Sequence, residues 1–217
     1  MIKILNNINL AQYLLNQLNS IFPDNQKISN LENVVAHAIL KIEYNFEHIA
    51  LPYYSKNNKV FFNHLNADHY TVFIYYCSNI AYNNGDITLA SKLFYLNKVL
   101  HSFHCMYDTE LPNIFLVTHG VGVVLGKASY SNYLVFTQGC TVGANGDWEY
   151  PDISSFVIMY PNSSILGNSV IKSRVILANN TVLLNEKVPD NSLVVGSHPN
   201  IKIKEIKKNR FSQFFKI

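Results

Sequence analysis

Residues 143 to 152 read Gly-Ala-Asn-Gly-Asp-Trp-Glu-Tyr-Pro-Asp and bring Asp147, Trp148, Glu149 and Tyr150 together. Aromatic rings stack on the apolar faces of sugars, and an indole N–H can donate to an acceptor oxygen or a developing oxyanion. The chain has eight histidines, whose imidazole titrates in the range that suits proton transfer near neutrality. Cys77, Cys105 and Cys140 are odd in number and none sits in a C-x-x-C pair, so the sequence suggests neither a disulfide framework nor a metal site. From 200 to 217 the chain carries six cations, Lys202 and Lys204 among them, against the single carboxylate of Glu205. The net charge of +3 over 217 residues is too small to argue for nucleic acid.

Something regular must hold these residues. Ile153, Met159, Ile165, Ile171, Leu177 and Leu183 are aliphatic at a spacing of six. A helix repeats its buried face at about 3.6 residues and a strand at 2, so this period calls for short strands that each turn a corner. That is the signature of a coiled solenoid. Small or β-branched residues lie two positions before the hits (Val157, Ser163, Ser169, Val175, Thr181), and turn-tolerant ones lie four before the next (Pro161, Gly167, Ser173, Asn179, Asn185). An earlier series, Val124, Tyr130, Phe136 and Val142, keeps the same period; the interval to Ile153 is then eleven. Residues 143–152 are therefore expected to leave the coil as an excursion loop, a usual place for function.

Ahead of the solenoid the period is helical. Expected helices run over residues 8–22, from Ser29 or Asn30 to about Phe46, from after Asn66 to Tyr82, and from Asp86 to about His104. Residues 50–65 read as a loop with a short hairpin or extended piece at Val60 to Phe62. The division this gives is an α-helical domain at 1–110, a β-solenoid at 111–199 and a basic tail at 200–217. No run approaches the roughly 18 apolar residues of a membrane span, and no signal-peptide core is present. A cytoplasmic protein is expected.

The motifs His119-Gly-Val-Gly-Val-Val-Leu-Gly126, Gln138-Gly-Cys-Thr-Val-Gly143, Ile165-Leu-Gly-Asn168 and Val188-Pro-Asp-Asn-Ser-Leu-Val-Val-Gly196 resemble the left-handed β-helix of hexapeptide-repeat acyltransferases. Residues 112–199 are most similar to the serine-acetyltransferase-like branch. The resemblance implies an α+β chain in which an all-α domain precedes a left-handed parallel β-helix, and a homotrimer with active sites between adjacent β-helices. It implies acetyl-CoA as cosubstrate and His119 as general base, since a hydroxyl attacks a thioester at neutral pH only if its proton is removed as it attacks. It places Gly143, Ala144, Ser163, Ser164, Ala178, Asn179 and Gly196 along the cofactor groove. Lys202 and Lys204 are candidates to meet the CoA phosphates or an anionic polymer; equally, the tail reads as a solvated terminal segment that Phe211, Phe214 and Phe215 tie to the body.

Two departures stand out. The serine acetyltransferase pattern has an Asp directly before the catalytic His and a second active-site His before a Pro in the excursion loop; this chain has Thr118 and Tyr150-Pro151. Both changes remove polar groups suited to a small amino acid. Asp147, Trp148 and Tyr150 point instead to a carbohydrate acceptor, as in the similar O-acetyltransferases of bacterial capsular polysaccharides, polysialic acid included, with Trp148 also a catalytic candidate. The alternatives are a serine O-acetyltransferase of cysteine biosynthesis and a non-catalytic trimeric scaffold. No nucleic-acid partner is expected.

Overall fold

Four helices form where the apolar spacing is three and four. α1 (Asn7–Ile21) buries Leu10, Leu14 and Leu18, and the Asn6 side chain caps it by accepting the Asn9 N–H at 2.8 Å. α2 (Leu31–Glu47) buries Val34, Val35, Ala38 and Ile42. α3 (Ala67–Asn83) is buried continuously from His69 to Ala81, which makes it the central helix, flanked by α2 and α4. α4 (Ile87–His101) starts at Asp86, whose side chain accepts the Leu89 N–H at 2.9 Å, and stops at Ser102 in the left-handed region. It ends short of the expected His104. The computed structural model describes every residue, 1–217.

A small sheet joins this helical region. Ser55–Lys56 and Lys59–Phe62 form a hairpin on Asn57-Asn58, both at positive φ, and Ile2–Lys3 pairs parallel with the second strand. Tyr75 and Tyr76 are core residues. The Tyr75 hydroxyl donates to the Thr109 carbonyl and accepts the Leu111 N–H, both at 2.9 Å, which fastens the chain where it leaves the helices.

The remainder winds into a β-helix of three parallel faces. The first face stacks Phe115–Val117, Leu134–Phe136, Val157–Met159, Val175–Leu177 and Ser192–Val195. The second stacks His104–Cys105, Val124–Leu125, Thr141–Gly143, Ser164–Leu166 and Val182–Leu184, and the third Ser129–Tyr130, Asp152–Ile153, Val170–Ile171 and Lys187–Val188. Registered pairing stacks Leu125, Val142, Ile165 and Leu183 inside the coil, as it does Phe136, Met159, Leu177 and Val194. Small polar corner residues point inward too and satisfy themselves on carbonyls: Thr137 Oγ1 donates to Met159 O at 2.9 Å and Ser169 Oγ to Leu166 O at 2.7 Å.

Two details depart from the pattern in the sequence. The inward residue of the early ladder is Leu125, whereas Val124 is 37% exposed, because only five residues separate Leu125 from the next inward position, Tyr130, where Ile165 and Ile171 keep six. The coil begins at His104–Cys105, ahead of position 111; this strand has only two residues and no six-residue partner to reveal it. The tail is a strap: Lys202–Glu205 runs antiparallel to Ser192–Val195, Phe211 and Phe215 are buried, and Phe215 bridges to Ile49 of the helical region.

Candidate active site

The edge between the first and second faces carries His119. It follows the strand Phe115–Val117 in a six-residue corner, Thr118 to Val123, where the coil above uses four, Thr137 to Cys140. His119 has φ 53°, the left-handed region, which costs a non-glycine residue about 1 kcal/mol. Gly120 is obligatory beside it, since a Cβ there would lie 2.5 Å from Val117 Cγ1. The His119 side chain is exposed.

Helices close the corner from above. Asp68, in the first turn of α3, accepts the His119 N–H on Oδ2 at 3.1 Å and the Gly120 N–H on Oδ1 at 3.4 Å. The Ser102 carbonyl at the end of α4 accepts the Gly122 N–H at 3.1 Å. Together these elements bound a cleft of about 370 Å3 in which Asp68 is the single carboxylate and His101 a second imidazole. Burial holds His101 neutral, lowering its pKa to about 4, and its Nδ1 lies 2.7 Å from Asn97 Oδ1. That contact makes Nδ1 the donor and leaves Nε2 unprotonated. Sequence reasoning missed both residues, because Asp68 lies 51 positions from His119 and His101 sits within an ordinary amphipathic helix.

The excursion loop leaves from a different edge, between the second and third faces. Asn145 organises it: Oδ1 accepts the N–H groups of Asp147 at 2.9 Å and Glu149 at 3.1 Å, while Nδ2 donates to Glu149 Oε2 at 2.7 Å. Asp147, Glu149 and Tyr150 are exposed, and Trp148 is 76% exposed at φ 60°. One chain therefore does not bring Trp148 to His119. They stand on separate edges of the prism.

The expected cofactor residues divide in the same way. Ala178, Asn179 and Gly196 continue the His119 edge upward, and Lys202 pairs opposite Val195 at its far end. Gly143 and Ala144 belong to the base of the loop on the other edge, and Ser164 opens a strand of the face between them. Ser163 is fully buried inside the coil against Cys140, so its side chain has no surface to offer a cofactor. Lys204 is exposed and borders a groove of about 750 Å3 over Tyr160, Ile176 and Leu193, rimmed by Lys207, Lys208 and Arg210. No three His, Cys, Asp or Glu side chains converge as a metal site would require, and no helix is long and apolar enough to cross a membrane.

No family model matches this chain. Among curated proteins it is similar to the serine acetyltransferase of Staphylococcus epidermidis, at 29% identity over 119 residues, which is 53% of this chain and 55% of that protein. The chain thus spans about half the length of the curated relatives it matches. Among solved structures it resembles serine acetyltransferase from Vibrio cholerae, with TM-score 0.73, 18% identity and coverage of 94% of this chain and 81% of the other. A serine acetyltransferase in complex with CoA superposes with TM-score 0.68 at 17% identity, covering 92% and 86%. These likenesses establish the fold, a helical domain followed by the left-handed β-helix of the serine acetyltransferases.

Proposed function

We propose that this chain transfers an acetyl group from acetyl-CoA to the hydroxyl of a small acceptor, L-serine first, with His119 as the general base. The observation that carries the reading is the cleft beside His119: a backbone-clamped imidazole at the mouth of a space sized for an amino acid, with one carboxylate and no cation in its lining. Such a lining suits the ammonium group of an amino-acid acceptor, and it holds no cation for the acceptor's carboxylate. His119 takes the hydroxyl proton as the new C–O bond forms and returns it to the thiol as the C–S bond breaks, so the imidazole ends neutral.

The edge above His119 fits the cosubstrate. Adjacent strands of a parallel face lie about 4.8 Å apart, so the four steps from Phe115–Val117 to Ser192–Val195 span about 19 Å. Along that length Gly139, Ala178 and Gly196 keep the edge slim, and Lys202 waits at its end for phosphate charge. A homotrimer completes the reading. It would bring the excursion loop of one chain to the His119 edge of the next, and it would cover Val121 and Trp148, which are 66% and 76% exposed.

Carbohydrate remains the second reading of the acceptor. Thr118 and Tyr150 replace the Asp and His of the serine acetyltransferase pattern, and the loop displays Trp148 and Tyr150 to solvent. A thiol-release assay with acetyl-CoA decides between the two. Turnover with L-serine and none with sialylated or other capsular oligosaccharides supports the first reading; the reverse supports the second. Failure to bind acetyl-CoA, with no effect of His119→Ala on any activity, leaves the non-catalytic scaffold.

A further inference from the structure

We infer that Asp68 is a positioning residue for the general base, a carboxylate supplied by the helical domain to a corner of the β-helix that carries none. The inference rests on the acetyl-transfer reading of His119. Three observations carry it. First, one carboxylate holds two successive N–H groups, those of His119 and Gly120, with a different oxygen on each. Charge on the acceptor strengthens such bonds, and a pair of them, here at 3.1 and 3.4 Å, fixes orientation as well as distance. Second, the residue so held carries the imidazole of the cleft mouth and makes, at φ 53°, the same left-handed turn as Gly139, Asn162 and Asn180 at the corners above.

Third, Asp68 stands on a rigid base. Its own N–H and that of His69 are bound by Asn66 Oδ1 at 3.0 and 3.3 Å. His69 is fully buried among Phe46, Tyr54 and Phe62, so the first turn of α3 has no freedom to drift. The residue before His119 is Thr118, buried and uncharged. Negative charge at this corner therefore arrives from a separate element, and the helical domain is part of the catalytic apparatus. At the corners above, Gly139, Asn162 and Asn180 each give the same N–H to a carbonyl of the coil below. His119 turns the first of these corners, and there Asp68 takes the place of that carbonyl and brings a charge with it.

The experiment compares Asp68→Ala and Asp68→Asn with the wild-type chain by steady-state kinetics, thermal unfolding and backbone amide NMR. Loosening the base by an ångström costs on the order of 10²-fold in rate. Asp68→Ala should accordingly lose about 10- to 100-fold in kcat at unchanged KM for acetyl-CoA and near-unchanged Tm, with Asp68→Asn intermediate because it keeps one acceptor oxygen. The amide protons of His119 and Gly120 should move upfield in both variants. An unchanged kcat, a change confined to the acceptor KM, or a kcat loss matched by a general loss of fold overturns the inference. The NMR arm separates the two levels: if no acceptor turns over, unmoved His119 and Gly120 resonances still overturn the clamp, and shifted ones uphold it while the acetyl-transfer reading fails.

Discussion

The edge that carries His119 and the edge that carries Trp148 obey one backbone rule. Each turns through a residue at positive φ: His119, Gly139, Asn162 and Asn180 on the first, Trp148, Gly167 and Asn185 on the second. What lies over them differs. α3 and α4 roof the first edge, so that Asp68, His101 and the Ser102 carbonyl converge on one corner. Nothing in the chain roofs the second, where Asn145 ties the loop to itself and leaves the indole in solvent. The contrast teaches that the His119 corner is enclosed by elements of its own chain, whereas the excursion loop is covered by none of them. The third edge serves as a reference. Tyr133 and Phe156 stack there at 4.4 Å, Arg174 lies 5.2 Å from the Phe211 ring, and the C-terminal strap covers them.

The largest effect should come from the first edge: His119→Ala is expected to lower kcat about 10²- to 10⁴-fold, the range for a lost general base, with Tm unchanged because the side chain is exposed. A variant that keeps full turnover would remove the chemical distinction between the edges. On the reference edge, Phe211→Ala empties a fully buried site and should destabilise the chain by about 3 kcal/mol in urea unfolding without touching the corner at His119. A loss below about 0.5 kcal/mol would show the strap to be dispensable.

Acid tests the roof. His69 and His101 are both held near a pKa of about 4 by burial, against 6.5 in an unfolded chain. Between those values the unfolded state binds more protons, so stability falls as pH drops from about 6.5 towards 4, by about 3 kcal/mol for the fully buried His69. Stability measured by denaturant at pH 7 and 4.5 checks the slope; a flat profile would mean that neither ring is buried neutral. The smallest effect belongs to the second edge. Trp148→Ala should leave monomer stability within about 0.5 kcal/mol, because the ring touches little. Its consequence is expected in turnover and in self-association by sedimentation, and an unchanged value of both would confine function to the roofed edge.

Much of the architecture was legible because repetition amplifies weak signals. One six-residue hit means little, but the run from Ile153 to Leu183 specifies the coil, and the eleven-residue gap located the loop to within a residue of its observed limits, Gly143 and Asp152. The start at His104–Cys105 was not legible, since a two-residue strand has no period. The tail was legible in one of its readings: Lys-rich composition describes its solvent side, and Phe211 and Phe215 tie it to the body.

At the site, the motif containing His119 stood out, and its surroundings did not. The amino-acid order alone determined the coil, its interruption and the positions of the four helices, because each depends on neighbours a few residues apart. Only the tertiary structure decided that Asp68 reaches the His119 corner, that His101 lines the same cleft and that Trp148 stands on another edge. Those relations join residues far apart in the chain, and they are set by how the helices seat on the coil and by which edge each corner falls on. Periodicity carries neither quantity.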